Sequence, residues 1–188
     1  LRLPYLGQPH AIIFDETYYV KDSLALLSFG HERKVIEGAD ATLLASNGEN
    51  FQSIFTDTAS YIVHPPVGKW VIASGEAIFG ATPFGWRIAI AILGILSVLL
   101  TARIARRLTN SNFIGTVAGL LLTLDGLHIA MSRTALLDTS LSFFALCAFG
   151  FLIIDRDSAN SGNSKNWRWA MMVALGLACA TKWSGVYF

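Results

Sequence analysis

Four stretches of about 20 mostly apolar residues, each long enough to cross a ~30 Å hydrocarbon core as a helix, occupy 84–102, 113–131, 135–154 and 169–188. Inside hydrocarbon every backbone N–H and C=O must be satisfied within its own segment, which selects helices for these spans. Gly94, Gly115, Gly119, Gly150 and Gly176 fit that reading, because small residues let membrane helices pack closely. Of the 188 residues only 14% are charged, against about 25% in an ordinary soluble domain. A lone soluble globule, a disordered tail and a nucleic-acid binder are thereby excluded. Cys147 and Cys179 both lie in apolar runs, which excludes a secreted disulfide scaffold. The pattern predicts an all-α, multi-pass transmembrane helical protein, and no cleaved targeting signal is visible in these residues. The chain opens at Leu1 and stops at Phe188 inside an apolar run, so it is expected to be a piece of a longer one.

Basic residues orient the spans. Arg103, Arg106 and Arg107 follow the first, and Arg156, Lys165 and Arg168 lie between the third and fourth. An even number of spans separates the two links, so one topology puts both on the cytoplasmic side. Residues 1–83 then form an outer loop and 84–188 a transmembrane region of about four spans. The outer loop carries nine of the thirteen carboxylates: Asp15, Glu16, Asp22, Glu32, Glu37, Asp40, Glu49, Asp57 and Glu76. Helices are predicted over 17–29, with Asp15 placed to cap the start, and over 67–79 after Pro65 and Pro66. The second, with Val67, Trp70, Val71, Ala77 and Ile78, suits a helix lying in the membrane interface. Residues 38–58 show no strong period and are expected to be loop, as is the polar link 158–166.

Six ionisable residues in or beside the spans all fall in the outer half: Arg87, Asp125, His128, Arg133, Asp138 and Lys182. A charge at the bilayer centre costs about 2.5–3.5 kcal/mol even on the lenient insertion scale. Long side chains escape by reaching the headgroups, so interfacial anchoring accounts for Arg133 as well as a site does. Asp125 and Asp138 are too short for that and are expected to pair with Arg133 across a tight hairpin. Arg87 and Lys182 have no sequence neighbour to pair with and suggest an anion site at membrane level, as a lipid phosphate would need.

Asp15 and Glu16 follow the apolar run Ala11-Ile12-Ile13-Phe14 and open a helix. One explanation is helix capping and dipole stabilisation, about 0.3–1 kcal/mol each. The other is a general base on the membrane surface. A metal site finds little support, since further oxygen ligands are lacking. His64 is either a hydrogen-bonded loop histidine or a substrate contact.

Several motifs are read together. Phe14-Asp15-Glu16-Thr17-Tyr18-Tyr19 and His64-Pro65-Pro66-Val67-Gly68-Lys69 resemble the first outer loop of protein O-mannosyltransferases. Asp125-Gly126-Leu127-His128 with Ser132-Arg133-Thr134-Ala135-Leu136-Leu137-Asp138 resembles their next hallmark. Ala180-Thr181-Lys182-Trp183-Ser184-Gly185 is similar to a later lysine-tryptophan motif, with Ser184 where many members have valine. The resemblance covers almost the whole chain. It implies the N-terminal portion of a GT-C type enzyme of glycosyltransferase family 39, with a further helix ending near Leu1 and others beyond Phe188. The compact loop looks more like bacterial members than fungal ones.

That resemblance implies inverting, metal-independent transfer of mannose from polyprenyl (or dolichyl) phosphate mannose to Ser/Thr hydroxyls of exported proteins. Asp15 and Glu16 are the expected catalytic carboxylates, Asp15 as general base and Glu16 orienting the site or pairing with a cation, though sequence does not separate the two; Arg87 and Lys182 are the expected donor-phosphate ligands. His64, Asp125, His128, Arg133, Asp138 and Trp183 are expected to contact substrate or support the site. No cofactor and no nucleic acid is implied; membrane lipids and the secretion machinery are the further partners. The expected location is the plasma membrane with an extracytoplasmic site, or the ER membrane with a lumenal site in a eukaryote. A GT-C enzyme with a lipid or glycan acceptor is the nearest alternative. A transporter or a membrane scaffold is the alternative of another class, although a transporter wants its charges near the midplane.

Overall fold

Turn residues bound the first helix. The protein is described by a computed structural model covering residues 1–160 and 167–188. Helix α1 (Glu16–Phe29) starts after Asp15 and is closed by Gly30, whose φ of 73° lets its N–H reach the Leu26 carbonyl. The short strand β1 (Arg33–Val35) follows, then α2 (Ala39–Ala45), a 3-10 turn (Phe51–Ile54) and β2 (Phe55–Ala59), which pairs antiparallel with β1. The expected loop at 38–58 is therefore structured, and a two-stranded ribbon joins an otherwise helical chain. Elements of three to seven residues are too short to display a period, and their order comes from docking. Leu43 and Ile54 are buried, and Asp40 ties α2 to Lys21 and to the Thr17 hydroxyl (2.7 Å) on α1.

Helix α3 (Val67–Phe79) has its predicted bounds. Trp70 and Ile78 are 56% and 73% exposed, while Gly68, Lys69, Ile72, Ala73, Gly75 and Glu76 are buried. The buried ammonium of Lys69 lies between Asp22 (2.9 Å) and Glu32 (2.6 Å). Burial pushes the Glu76 carboxyl well above its ordinary range. At Gly75 an added Cβ would collide with the Gly85 carbonyl oxygen, so only glycine permits this crossing. Polar groups inward and aromatics outward suit a helix whose outer side meets lipid.

Thr82 caps the next helix by accepting the Gly85 N–H (3.2 Å), with Pro83 in its first turn. That helix, α4 (Pro83–Thr109), is followed by α5 (Asn112–Leu124), α6 (Gly126–Ser132), α7 (Leu137–Asn160) and α8 (Arg168–Cys179). Among the described residues α4 and α7 are long and apolar enough to cross a membrane, and α5 with α6 makes a third span if that bent pair counts as one. The bend of 64° falls at Asp125, whose extended backbone and carboxylate, accepting the His128 N–H at 2.6 Å, start a fresh helix. Helix α8 rises only about 18 Å and gives way, after Lys182, to a 3-10 turn (Trp183–Tyr187). Against the roughly four spans expected, the described residues thus hold two helices of spanning length, or three with the bent pair, and the shorter apolar α8. Of the polar link expected at 158–166, residues up to 160 belong to α7 and the remainder lies outside the described residues.

One core crosses the expected boundary between 83 and 84. Val20 and Leu24 of α1, Leu43 and Ile72 pack with Trp86 and Ile90 of α4 and with Leu137 of α7. The outer segment is thereby seated on one end of the long helices, which positions its acidic pair over them.

Candidate active site

The two adjacent carboxylates diverge. Phe14 sits at a left-handed φ of 54°, a conformation bulky residues rarely adopt, immediately before them. Glu16 is 0% exposed. Its Oε1 accepts from Arg87 Nε (2.8 Å) and the Ala135 N–H (2.9 Å); its Oε2 accepts from Arg87 Nη2 (2.8 Å) and the Ile13 N–H (2.9 Å). Arg87, 1% exposed, spends its other N–H groups on the carbonyls of Leu6 (3.3 Å), Pro9 (3.1 Å) and Ala11 (2.7 Å). Every guanidinium donor has an acceptor. Glu16 thus pairs with a cation, one of the roles expected for it, while Arg87, expected at the donor phosphate, has no N–H left over in this geometry.

Asp15 is half-buried, and its side chain makes no cap bond, hydrogen bond or ion pair among the described residues. Lys182 follows α8 in extended conformation, and its Nζ donates to Asp138 Oδ1 (2.8 Å) in the first turn of α7. One ammonium N–H is committed there, which leaves two for a ligand. The segment before α3 docks on this corner. The Val67 N–H bonds the Ala180 carbonyl (3.0 Å), and Trp183 Nε1 donates to the Val63 carbonyl (2.8 Å). His64 is thereby held with its ring 6.2 Å from that of Tyr19 and with a buried, unpartnered Nδ1.

These groups share one electrostatic neighbourhood. Burial first, then Lys182 and Lys69, hold the His64 imidazole below its ordinary range, with Asp138 and Asp15 opposing. The ring is therefore neutral at pH 7. Burial pushes the Tyr19 hydroxyl up to about 12, helped by Asp15, Asp138 and Asp22, so it remains a proton donor. Sequence reasoning missed Tyr19. The signal was its position four residues after Asp15, on the same face of α1.

The remaining expected residues form a separate knot. Arg133 donates to the carbonyls of Leu1 (3.0 Å), Arg2 (3.1 Å), Pro4 (2.9 Å) and Tyr5 (3.2 Å). Arg2 bonds His128 Nδ1 (2.7 Å) and the Leu122 carbonyl (3.0 Å). The expected pairing of Asp125 and Asp138 with Arg133 is corrected: Asp125 caps α6, Asp138 holds Lys182, and Arg133 anchors the N-terminal segment.

The sequence profile described as dolichyl-phosphate-mannose-protein mannosyltransferase matches residues 50–188. The chain belongs to this family. This mannosyltransferase-family chain is 49% identical over 146 residues to the polyprenol-phosphate-mannose–protein mannosyltransferase of Mycobacterium tuberculosis, covering 68% of itself and 28% of that protein. For the Mycolicibacterium smegmatis protein of the same name the identity is 44% at the same coverage. An undecaprenyl phosphate-alpha-4-amino-4-deoxy-L-arabinose arabinosyl transferase of Pseudomonas aeruginosa is 36% identical over 119 residues, covering 63% of this chain and 21% of that one. The apo crystal structure of ArnT from Cupriavidus metallidurans superposes with a TM-score of 0.65 at 22% identity, covering 94% of this chain and 30% of that one. The chain shares its fold with that structure, and its long apolar helices make it part of a membrane protein. It spans about 28% of the length of the mycobacterial relatives. The matched range begins after Asp15 and Glu16 and includes His64, Asp138 and Lys182.

Proposed function

We propose that the whole protein transfers mannose from a polyprenyl phosphate carrier to serine or threonine hydroxyls of an exported protein, on the extracytoplasmic face. The mannosyltransferase relatives carry names that state this donor and a protein acceptor. The observation that carries the reading is the pairing of opposites at one end of the helices. Among the described residues Asp15 is an unpartnered carboxylate, and across the His64–Tyr19 corner Lys182 keeps two donors free.

Asp15 takes the proton of the acceptor hydroxyl as its oxygen attacks the anomeric carbon. The bond from that carbon to the carrier phosphate breaks with its electron pair on the phosphate oxygen. Attack opposite the leaving group inverts the configuration, β-linked donor to α-linked product. Lys182, oriented by Asp138, stabilises the charge that grows on the departing phosphate, and a preorganised cation in a water-poor site is worth several kcal/mol. Neutral His64 and protonated Tyr19 can donate hydrogen bonds to sugar or phosphate without adding charge. Arg87 is replaced in this role by Lys182, because its own donors are spent.

The deciding experiment follows labelled mannose from a polyprenyl phosphate donor to a threonine-bearing peptide, in membranes containing the full-length protein. Transfer to the peptide supports the reading; transfer only to a glycan or lipid acceptor favours the alternative that the arabinosyl transferase relatives suggest. In this assay Lys182→Ala is expected to lower turnover by about 10²–10³-fold, the usual loss on removing one preorganised charge-stabilising group. Arg106→Ala, at the other end of α4, is expected to leave it unchanged. Equal effects of the two would reduce the basic residues to topology. Turnover is also expected to survive EDTA; a loss restored by added Mg²⁺ or Mn²⁺ would reinstate a metal.

A further inference from the structure

The inner end of α4 carries a feature that catalysis does not use. Arg103, Arg106 and Arg107 recur at i, i+3 and i+4, one stripe of the helix. About 24 Å of helical rise separates Arg87 from Arg103, so this stripe is remote from Asp15. The three arginines border a groove of about 480 Å³ between α4 and α7, with Ile104, Gly150 and Phe151 among its lining.

The charge in this groove is not balanced from within. Arg107 Nε bonds Asp157 on α7 (2.7 Å), and Asp157 also receives Arg156 (2.8 Å). Asp155 is held by Arg168 (3.0 Å). Arg103 and Arg106 are exposed and have no hydrogen bond or ion pair among the described residues. Two free guanidinium groups therefore stand beside an apolar trough at the end of membrane-crossing helices. Gly150 lines the trough beside Ile104, to which an added Cβ would make ordinary contact at 3.4 Å.

We propose that this groove binds an anionic phospholipid from the leaflet opposite the catalytic site. Its headgroup phosphate sits between Arg103 and Arg106, and an acyl chain lies along Ile104, Gly150 and Phe151. The planar guanidinium matches phosphate oxygens two at a time, which an ammonium cannot do. A zwitterionic lipid brings its own cation to the same place and loses the advantage. The site is independent of the reaction assigned to the outer end.

The test is native mass spectrometry of the full-length protein titrated with phosphatidylglycerol and, separately, phosphatidylcholine. Phosphatidylglycerol is expected to bind preferentially. Arg103→Gln with Arg106→Gln is expected to weaken it roughly thirtyfold, taking about fivefold per arginine near a membrane surface. Gly150→Leu, which fills the trough and keeps both charges, is expected to weaken it as well, and it serves if the double variant fails to fold. Arg168→Gln, outside the groove, is expected to change nothing. Equal binding of the two lipids, or phosphatidylglycerol binding indifferent to both groove variants, would overturn the proposal. So would a full-length protein that takes up no phosphatidylglycerol because its own further chain fills the groove.

Discussion

Asp15→Asn in the full-length protein is expected to lower mannose transfer about 10²–10⁴-fold, the range a general base contributes, while donor binding and stability hold. The substitution keeps the shape of the side chain and removes only its ability to accept a proton. Because the Asp15 carboxylate has no partner among the described residues, neutralising it leaves no buried cation or amide without a counterpart. With no partner to lose, the substitution is expected to change stability by about 0.5 kcal/mol or less. Glu16→Gln makes the contrast sharp. It differs by one position and by the same atoms, yet it deprives buried Arg87 of its counter-charge and so is expected to reduce folded protein. Measuring transfer and melting temperature on both variants separates the roles. Near-normal turnover of Asp15→Asn would remove Asp15 from the base position.

Arg87→Ala is expected to destabilise the protein by about 3–5 kcal/mol, the cost of deleting one partner of a buried ion pair. The loss is large because the guanidinium holds α1 through Glu16 and the 6–11 segment through three carbonyls. Lysine has too few donors, in the wrong arrangement, so Arg87→Lys is expected to rescue little. Removing both charges, as in Glu16→Gln with Arg87→Met, is expected to recover only part of the loss, since the Ile13 and Ala135 amides still need the carboxylate oxygens. Thermal unfolding followed by size-exclusion recovery in detergent gives the order of the variants. A fully stable Arg87→Ala protein that no longer binds the lipid-linked donor would return Arg87 to the phosphate.

Much of the helical framework was legible in the chain. The bounds of α3 came from the proline pair before it and the apolar residues within it. The start of α4 lies within a residue of the expected one, set by Thr82 and Pro83. What failed was length and continuity. Residues 113–131 are apolar enough for one span, yet Asp125 turns its carboxylate onto the His128 amide and splits them. Residues 169–188 are also apolar, yet helix ends at Cys179 and extended Lys182 reaches Asp138. Hydropathy sums over a window and does not register a single side chain that competes for backbone amides.

Read alone, the chain determined that its apolar runs form helices and that its motifs resemble one mannosyltransferase family. These properties are local: they depend on hydrophobic content, spacing and residue type within short windows. Only the tertiary structure decided which of two neighbouring carboxylates is free. Successive residues on a helix point about 100° apart, so one of Asp15 and Glu16 had to turn inward. Its partners, Arg87 and the Ala135 amide, lie 71 and 119 positions further along the chain. The same long-range packing spent Arg87 on structure, left Lys182 with donors to spare and brought Tyr19 and His64 beside them.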